Sequence, residues 1–82
     1  MNVFDLIAIT NKIAELNERC HRAIMRNREP DEDDDEESMK LVNSVLENIE
    51  EKHREGVKYE LFTIRDEYKA RELIIRLIPL FR

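Results

Sequence analysis

The stretch Glu29-Pro30-Asp31-Glu32-Asp33-Asp34-Asp35-Glu36-Glu37 divides the chain and decides its fold. Eight of these nine residues are acidic. The whole 82-residue chain carries a net charge of −5, so the rest of it is weakly basic, at +3. Like charges at this density repel one another and do not pack in a core. We therefore predict a solvated acidic connector over residues 29–37, with Glu29-Pro30 ending the helix before it.

The residues before this connector carry one continuous apolar stripe. Its members recur at steps of three and four: Leu6, Ile9, Ile13, Leu16, Cys20 and Ile24. This spacing predicts a long amphipathic helix over about residues 3–28. Asn2, followed by Asp5 three residues later, is suited to cap its N-terminus.

The same spacing returns after the connector and predicts a second helix over about residues 34–55. The stripe consists of Met39, Val42, Leu46, Ile49 and His53. Gly56, the only glycine, stands just past this stripe, where a left-handed C-terminal cap would need it. Because the connector is short, we expect the first two helices to form an antiparallel hairpin.

A third helix is predicted to begin between residues 58 and 64, at about residue 60, and to end near residue 78, before Pro79. Thr63 and Asp66 can cap it near Ile64. Its apolar residues fall into two groups, Ile64, Tyr68, Ile75 and Ile78 on one face, and Ala70, Leu73, Ile74, Leu77, Leu80 and Phe81 over much of the remainder. The expected fold is one all-α domain over residues 1–82, an antiparallel hairpin with a third helix packed across it.

A helix that is apolar over most of its circumference needs neighbours on more than one side. Two helices of a hairpin cover roughly half of it, so part of the third helix is expected to remain open to a partner. We predict that this contact surface consists of Leu73, Leu77, Leu80 and Phe81. The surface is expected to bind a protein partner, a second copy of the chain, or both.

Composition narrows the remaining classes. A single cysteine excludes an internal disulfide framework, and the first ten residues lack the pattern of a signal peptide. No apolar run approaches the roughly 20 residues that a membrane span requires. We expect a cytoplasmic, soluble protein without a cofactor. The basic residues show neither clustering with aromatic side chains nor a recognisable motif, so direct binding of nucleic acid is not expected.

Metal binding and nucleophilic catalysis are not predicted either. Asp31, Asp33 and Asp35 match the first, third and fifth places of an EF-hand loop, but Glu36 replaces the required glycine and Val42 the final glutamate. In the expected hairpin, Cys20 and His53 lie on the order of 20 Å apart. We therefore assign no catalytic, cofactor-binding or metal-ligating residue.

Two families resemble parts of this outline. The size and three-helix layout are similar to those of helical chorismate mutases, but residues 33–37 lack that family's acidic-x-x-Arg-Glu signature. The second half of the chain, with Arg65-Asp66-Glu67 leading into residues 70–77, resembles the helical domain of GINS-type replication-complex subunits. That resemblance implies a non-enzymatic helical scaffold that packs against sister subunits. The small β domain of that family is absent.

The resulting functional prediction is a non-enzymatic protein-interaction module, either a scaffold or adaptor subunit or a small regulator. Two alternatives remain open. The first is an acidic inhibitor that occupies a nucleic-acid-binding cleft with the carboxylates of Asp31, Glu32, Asp33, Asp34, Asp35, Glu36 and Glu37. The second is a small all-helical enzyme of chorismate-mutase-like layout, which would need a pocket lined by arginine or lysine.

Overall fold

The computed structural model describes residues 1–81, and the all-α class is confirmed. Its helices are α1 (Val3–Met25), α2 (Glu32–Leu46), α3 (Glu51–Thr63) and α4 (Glu67–Leu77), followed by a 3-10 turn at Ile78–Leu80. The described residues thus form four α-helices, and the predicted count of three was wrong. Both later helices of the prediction differ from the observed ones.

The start of α1 is as predicted, and its end is earlier. Asn2 Oδ1 accepts a hydrogen bond from the backbone N–H of Asp5 at 2.8 Å, which satisfies one of the free donors of the first turn. At the other end, Asn27 adopts a left-handed φ of 56°, and the backbone N–H of Arg28 bonds to the carbonyl of Ala23. This closing turn ends the helix before Pro30 is reached.

Most of the acidic connector is helical, which corrects the predicted boundary. Asp31 is the N-cap of α2, and its side chain accepts a hydrogen bond from the backbone N–H of Asp33 at 2.8 Å. The following carboxylates occupy the first turns of α2, where the positive end of the helix dipole stabilises negative charge. The tract is therefore an ordered helix start.

The predicted second helix is interrupted at residues 47–50, and Gly56 lies inside α3 rather than at a cap. Gly56 has no positive φ, so its conformational freedom is not used. At the interruption, Arg54 Nε donates to the carbonyl of Ile49 at 2.9 Å, and Ile49 pairs with Phe81 in an isolated antiparallel bridge. These contacts hold a turn through which the apolar spacing continues unchanged.

The predicted third helix is likewise replaced by two helices that meet at residues 64–66. Asp66 caps α4 by accepting a hydrogen bond from the backbone N–H of Lys69 at 2.7 Å, so the predicted start near Ile64 was wrong. Across the core, Asn17 Nδ2 donates to the carbonyls of Leu61 and Ile64, both at 2.8 Å. One amide of α1 thus satisfies two carbonyls at the end of α3.

Helix α1 is the centre of the fold, because it contacts α2, α3 and α4. The fully buried side chains around it come from all four helices and include Leu6, Ile13, Val42, Leu61 and Leu73. The pair Arg19–Asp34, at 3.4 Å, places the C-terminal half of α1 beside the start of α2, as in an antiparallel hairpin. Within residues 1–81, none of the helices has the length and apolar character needed to cross a membrane.

Candidate protein-binding surface

The four residues predicted to form the contact surface do not lie together on the outside. Leu73 and Leu77 are 0% and 1% exposed and belong to the core. Leu80 and Phe81 are half-buried and pack against that core. The prediction was wrong for Leu73 and Leu77, because a side chain enclosed between α4 and its neighbours cannot contact a partner while the fold is intact.

The opposite face of α4 is the one left open. Ile75 is 64% exposed and Ile78 is 45% exposed, although both are large aliphatic side chains. They lie three residues apart and therefore on the same side of the helix. Tyr68, two turns before Ile75, is also exposed. Helix α4 thus has a buried face and a second apolar face that nothing in the fold covers.

The N-terminal part of α1 extends this open face. Ile7 lines the same shallow groove of about 380 Å³ as Ile74, Ile75 and Ile78, so the two helices are neighbours here. Phe4, one turn before Ile7, is 81% exposed. We call the surface formed by Phe4, Ile7, Ile75 and Ile78 the α1/α4 face. Exposed aliphatic and aromatic residues that are contiguous in this way mark a binding site more often than scattered ones do.

Polar groups lie at one end of this groove. Asn11, Glu67 and Arg71 line it together with the isoleucines. Glu67 and Arg71 differ by four residues and carry opposite charges, yet neither forms an ion pair with any residue in the described part of the chain. The groove therefore offers an apolar floor with one free carboxylate and one free guanidinium at its rim.

A second, more polar groove continues along α1. Its cationic lining consists of Lys12, Arg19, Arg22 and Arg65, and its acidic lining of Glu15, Glu18, Asp66 and Glu67. Three of the four cations are paired within the chain: Lys12 and Arg19 with Glu15, and Arg22 with Glu18. Acidic and basic groups are equal in number, so the groove has no positive field that would attract a dianionic substrate. The geometry gives the enzyme alternative no support.

The carboxylates of the acidic tract project from the start of α2. Asp31, Glu32, Asp33, Asp35, Glu36 and Glu37 are exposed, whereas Asp34 is half-buried against Arg19. Helix α2 thus presents a dense array of negative charge on a rigid support. Among residues 1–81, no group of three or more histidine, cysteine or acidic side chains is arranged to hold a metal ion.

Cys20 and His53 line different parts of the molecule. Cys20 lies in a cleft with Leu16, Asp35 and Phe62, whereas His53 lies beside Val57 and Leu77. Burial raises the pKa of the Cys20 thiol, and the charges of Asp35 and Asp34 raise it further. A thiol with a raised pKa is mostly protonated at neutral pH and is a poor nucleophile.

Sequence reasoning placed Ile75 and Ile78 on a separate face but did not select that face as the open one. Periodicity shows that a helix has two apolar faces without showing which one is turned inward. It also gave no weight to Phe4 and Ile7, because only the folded structure brings the start of α1 beside the end of α4. The available signal was Arg71, whose charge interrupts the Tyr68–Ile75–Ile78 face and is compatible only with solvent or a polar partner.

The chain matches no protein-family model, no curated protein and no solved structure.

Proposed function

We propose that this protein is a non-enzymatic interaction module, a scaffold subunit or small regulator, that binds a protein through the α1/α4 face. The observation that carries the proposal is the exposure of Ile75 and Ile78 beside Phe4 and Ile7. Leaving such side chains in water forfeits about 1.5–3 kcal/mol each relative to burying them. A partner that covers them recovers this free energy, and a small four-helix core gains stability from the association.

The α1/α4 face also has the layout of a helix-binding groove. Two antiparallel helices form its walls, isoleucines form its floor, and Glu67 and Arg71 mark one end. A helix from another protein can place its apolar stripe in such a groove and its polar residues at the rim. Few charged side chains intrude, which is typical of the centre of an interface.

The test compares two exposed positions of the tagged chain. Ile75→Asp places a charge in the centre of the α1/α4 face, whereas Tyr59→Asp alters a residue of α3 that is 72% exposed and remote from the groove. Affinity purification with quantitative mass spectrometry is expected to lose the bound protein with Ile75→Asp and to retain it with Tyr59→Asp. Equal recovery from both variants contradicts the proposal.

The acidic tract supports a second candidate function, inhibition of a nucleic-acid-binding protein. The observation in its favour is that α2 holds these carboxylates in fixed, exposed positions. Replacing residues 31–37 by Asn and Gln removes the charge, and an Asn at position 31 still caps α2. This candidate requires that the variant folds but no longer binds, and that binding by the natural chain weakens steeply with salt. The α1/α4 proposal expects the variant to bind normally.

A further inference from the structure

We infer that the partner of the α1/α4 face is a second copy of this chain, packed as a parallel dimer with a twofold axis along α4. This inference rests on the proposed function, because it names the occupant of the same surface. It depends on two observations: the free opposite charges at the rim of the groove, and their position relative to the isoleucines.

The free charges favour a partner that carries both signs. Lys12, Arg19 and Arg22, farther along α1, already have acidic partners within the chain, whereas Glu67 and Arg71 have none among the described residues. A uniformly basic partner would leave Arg71 unpaired, and a uniformly acidic one would leave Glu67 unpaired. A second copy supplies a guanidinium for the carboxylate and a carboxylate for the guanidinium, since a twofold contact is reciprocal.

The spacing along α4 selects the parallel arrangement. A twofold axis along the helix sets each residue level with its twin, so that Ile75 and Ile78 meet the same residues of the second copy. Glu67 and Arg71 are four residues apart, or about 6 Å along the axis, which two long side chains span. In an antiparallel pair, Ile78 of one copy would instead cover the charged end of the other and bury its charges without partners.

The acidic tract does not oppose this contact. Its carboxylates lie at the start of α2, beside Arg19, which is 12 residues along α1 from Ile7. At 1.5 Å per residue, this separates the tract from the α1/α4 face by about 18 Å, beyond the screening length of about 8 Å at physiological salt. Repulsion between the two tracts is therefore strongly screened.

Sedimentation equilibrium of the full chain tests the inference. We expect a monomer–dimer equilibrium with a dissociation constant on the order of 10 μM. Ile75→Asp should weaken dimerisation about 100-fold or more, whereas Tyr59→Asp should leave it unchanged. Glu67→Arg should weaken it about 10-fold, and adding Arg71→Glu should restore it to within about threefold of the natural chain. Circular dichroism confirms that each variant is folded.

Three results would overturn the inference. The first is a monomer at concentrations up to about 50 times the expected constant. The second is a dimer that survives Ile75→Asp, because it would use another surface. The third is failure of Arg71→Glu to restore the Glu67→Arg variant. If the chain is monomeric but Ile75→Asp alone loses a different protein in the purification described above, the proposed function stands without this occupant. If that purification also shows no difference from Tyr59→Asp, both fail.

Discussion

The two faces of α4 contain similar side chains and have opposite surroundings. On the inner face, Leu73 and Leu77 are enclosed by the other helices, and on the outer face Ile75 and Ile78 stand in solvent. The difference shows that apolar content alone does not identify a binding surface. Helix α1 covers one side of α4, and no other helix of the described chain covers the opposite side. The predictions below ask whether inward and outward residues differ in energy as they do in exposure.

The largest expected effect is at the inner face of α4. Leu73→Ala removes a fully buried side chain and leaves a cavity, so the free energy of unfolding should fall by about 3 kcal/mol. Ile75→Asp, two residues away on the outer face, should change it by less than about 0.5 kcal/mol in the monomer. Urea unfolding at low protein concentration measures both. Equal losses would show that the two faces do not differ as described.

The second prediction concerns the polar contact that ends α3 so that the chain can turn into α4. Asn17→Ala leaves the carbonyls of Leu61 and Ile64 without their donor, which should cost about 2 kcal/mol of unfolding free energy. Asn17→Asp should cost at least as much, because a carboxylate faces the same oxygens. Asn11→Ala is the matched control on the outward side of α1 and should have little effect. A tolerated Asn17→Ala would contradict the inward role of this amide.

The third prediction is an inward position where the change should stabilise. The Thr10 side chain is fully buried, and its hydroxyl has no hydrogen-bond partner among the described residues. Thr10→Val keeps the shape and removes the unsatisfied group, so unfolding free energy should rise by about 1 kcal/mol. Thr10→Ser keeps the hydroxyl, loses a methyl group and should lower it by about 1 kcal/mol. Thermal unfolding of the pair shows the sign, and a destabilising Thr10→Val would indicate an unseen partner.

The smallest effect is expected at an outward position. Gly56 lies inside α3, and a Cβ added there meets no atom within 4 Å. Gly56→Ala should therefore raise the free energy of unfolding by about 0.5–1 kcal/mol through helix propensity alone. Ala8→Gly, at an exposed position within α1, should lower it by a similar amount. Paired chemical unfolding curves check both, and a loss with Gly56→Ala would show that the glycine has a structural use.

Local signals in the sequence predicted part of this fold. The Asn2 cap, the stripe of α1 and the turn into α2 depend on residues that are close in the chain, and each has an observed counterpart. The breaks at residues 47–50 and 64–66 have no such signal, because apolar residues keep their three-four spacing through them. They are held by contacts between distant residues, Ile49 with Phe81 and Asn17 with Leu61 and Ile64. The same limit applied to the site, where the open face depends on which helix covers α4.

The most direct measurement of the central claim places a photo-crosslinking amino acid at position 75 and, separately, at position 59 of the full chain. Both side chains are exposed, but only residue 75 lies on the α1/α4 face. Illumination at physiological protein concentration should give a discrete protein adduct from position 75, to a second copy or to another protein, and none from position 59. Adducts of equal yield from both positions, or none from position 75, would contradict the claim that the outer face of α4 is a binding surface.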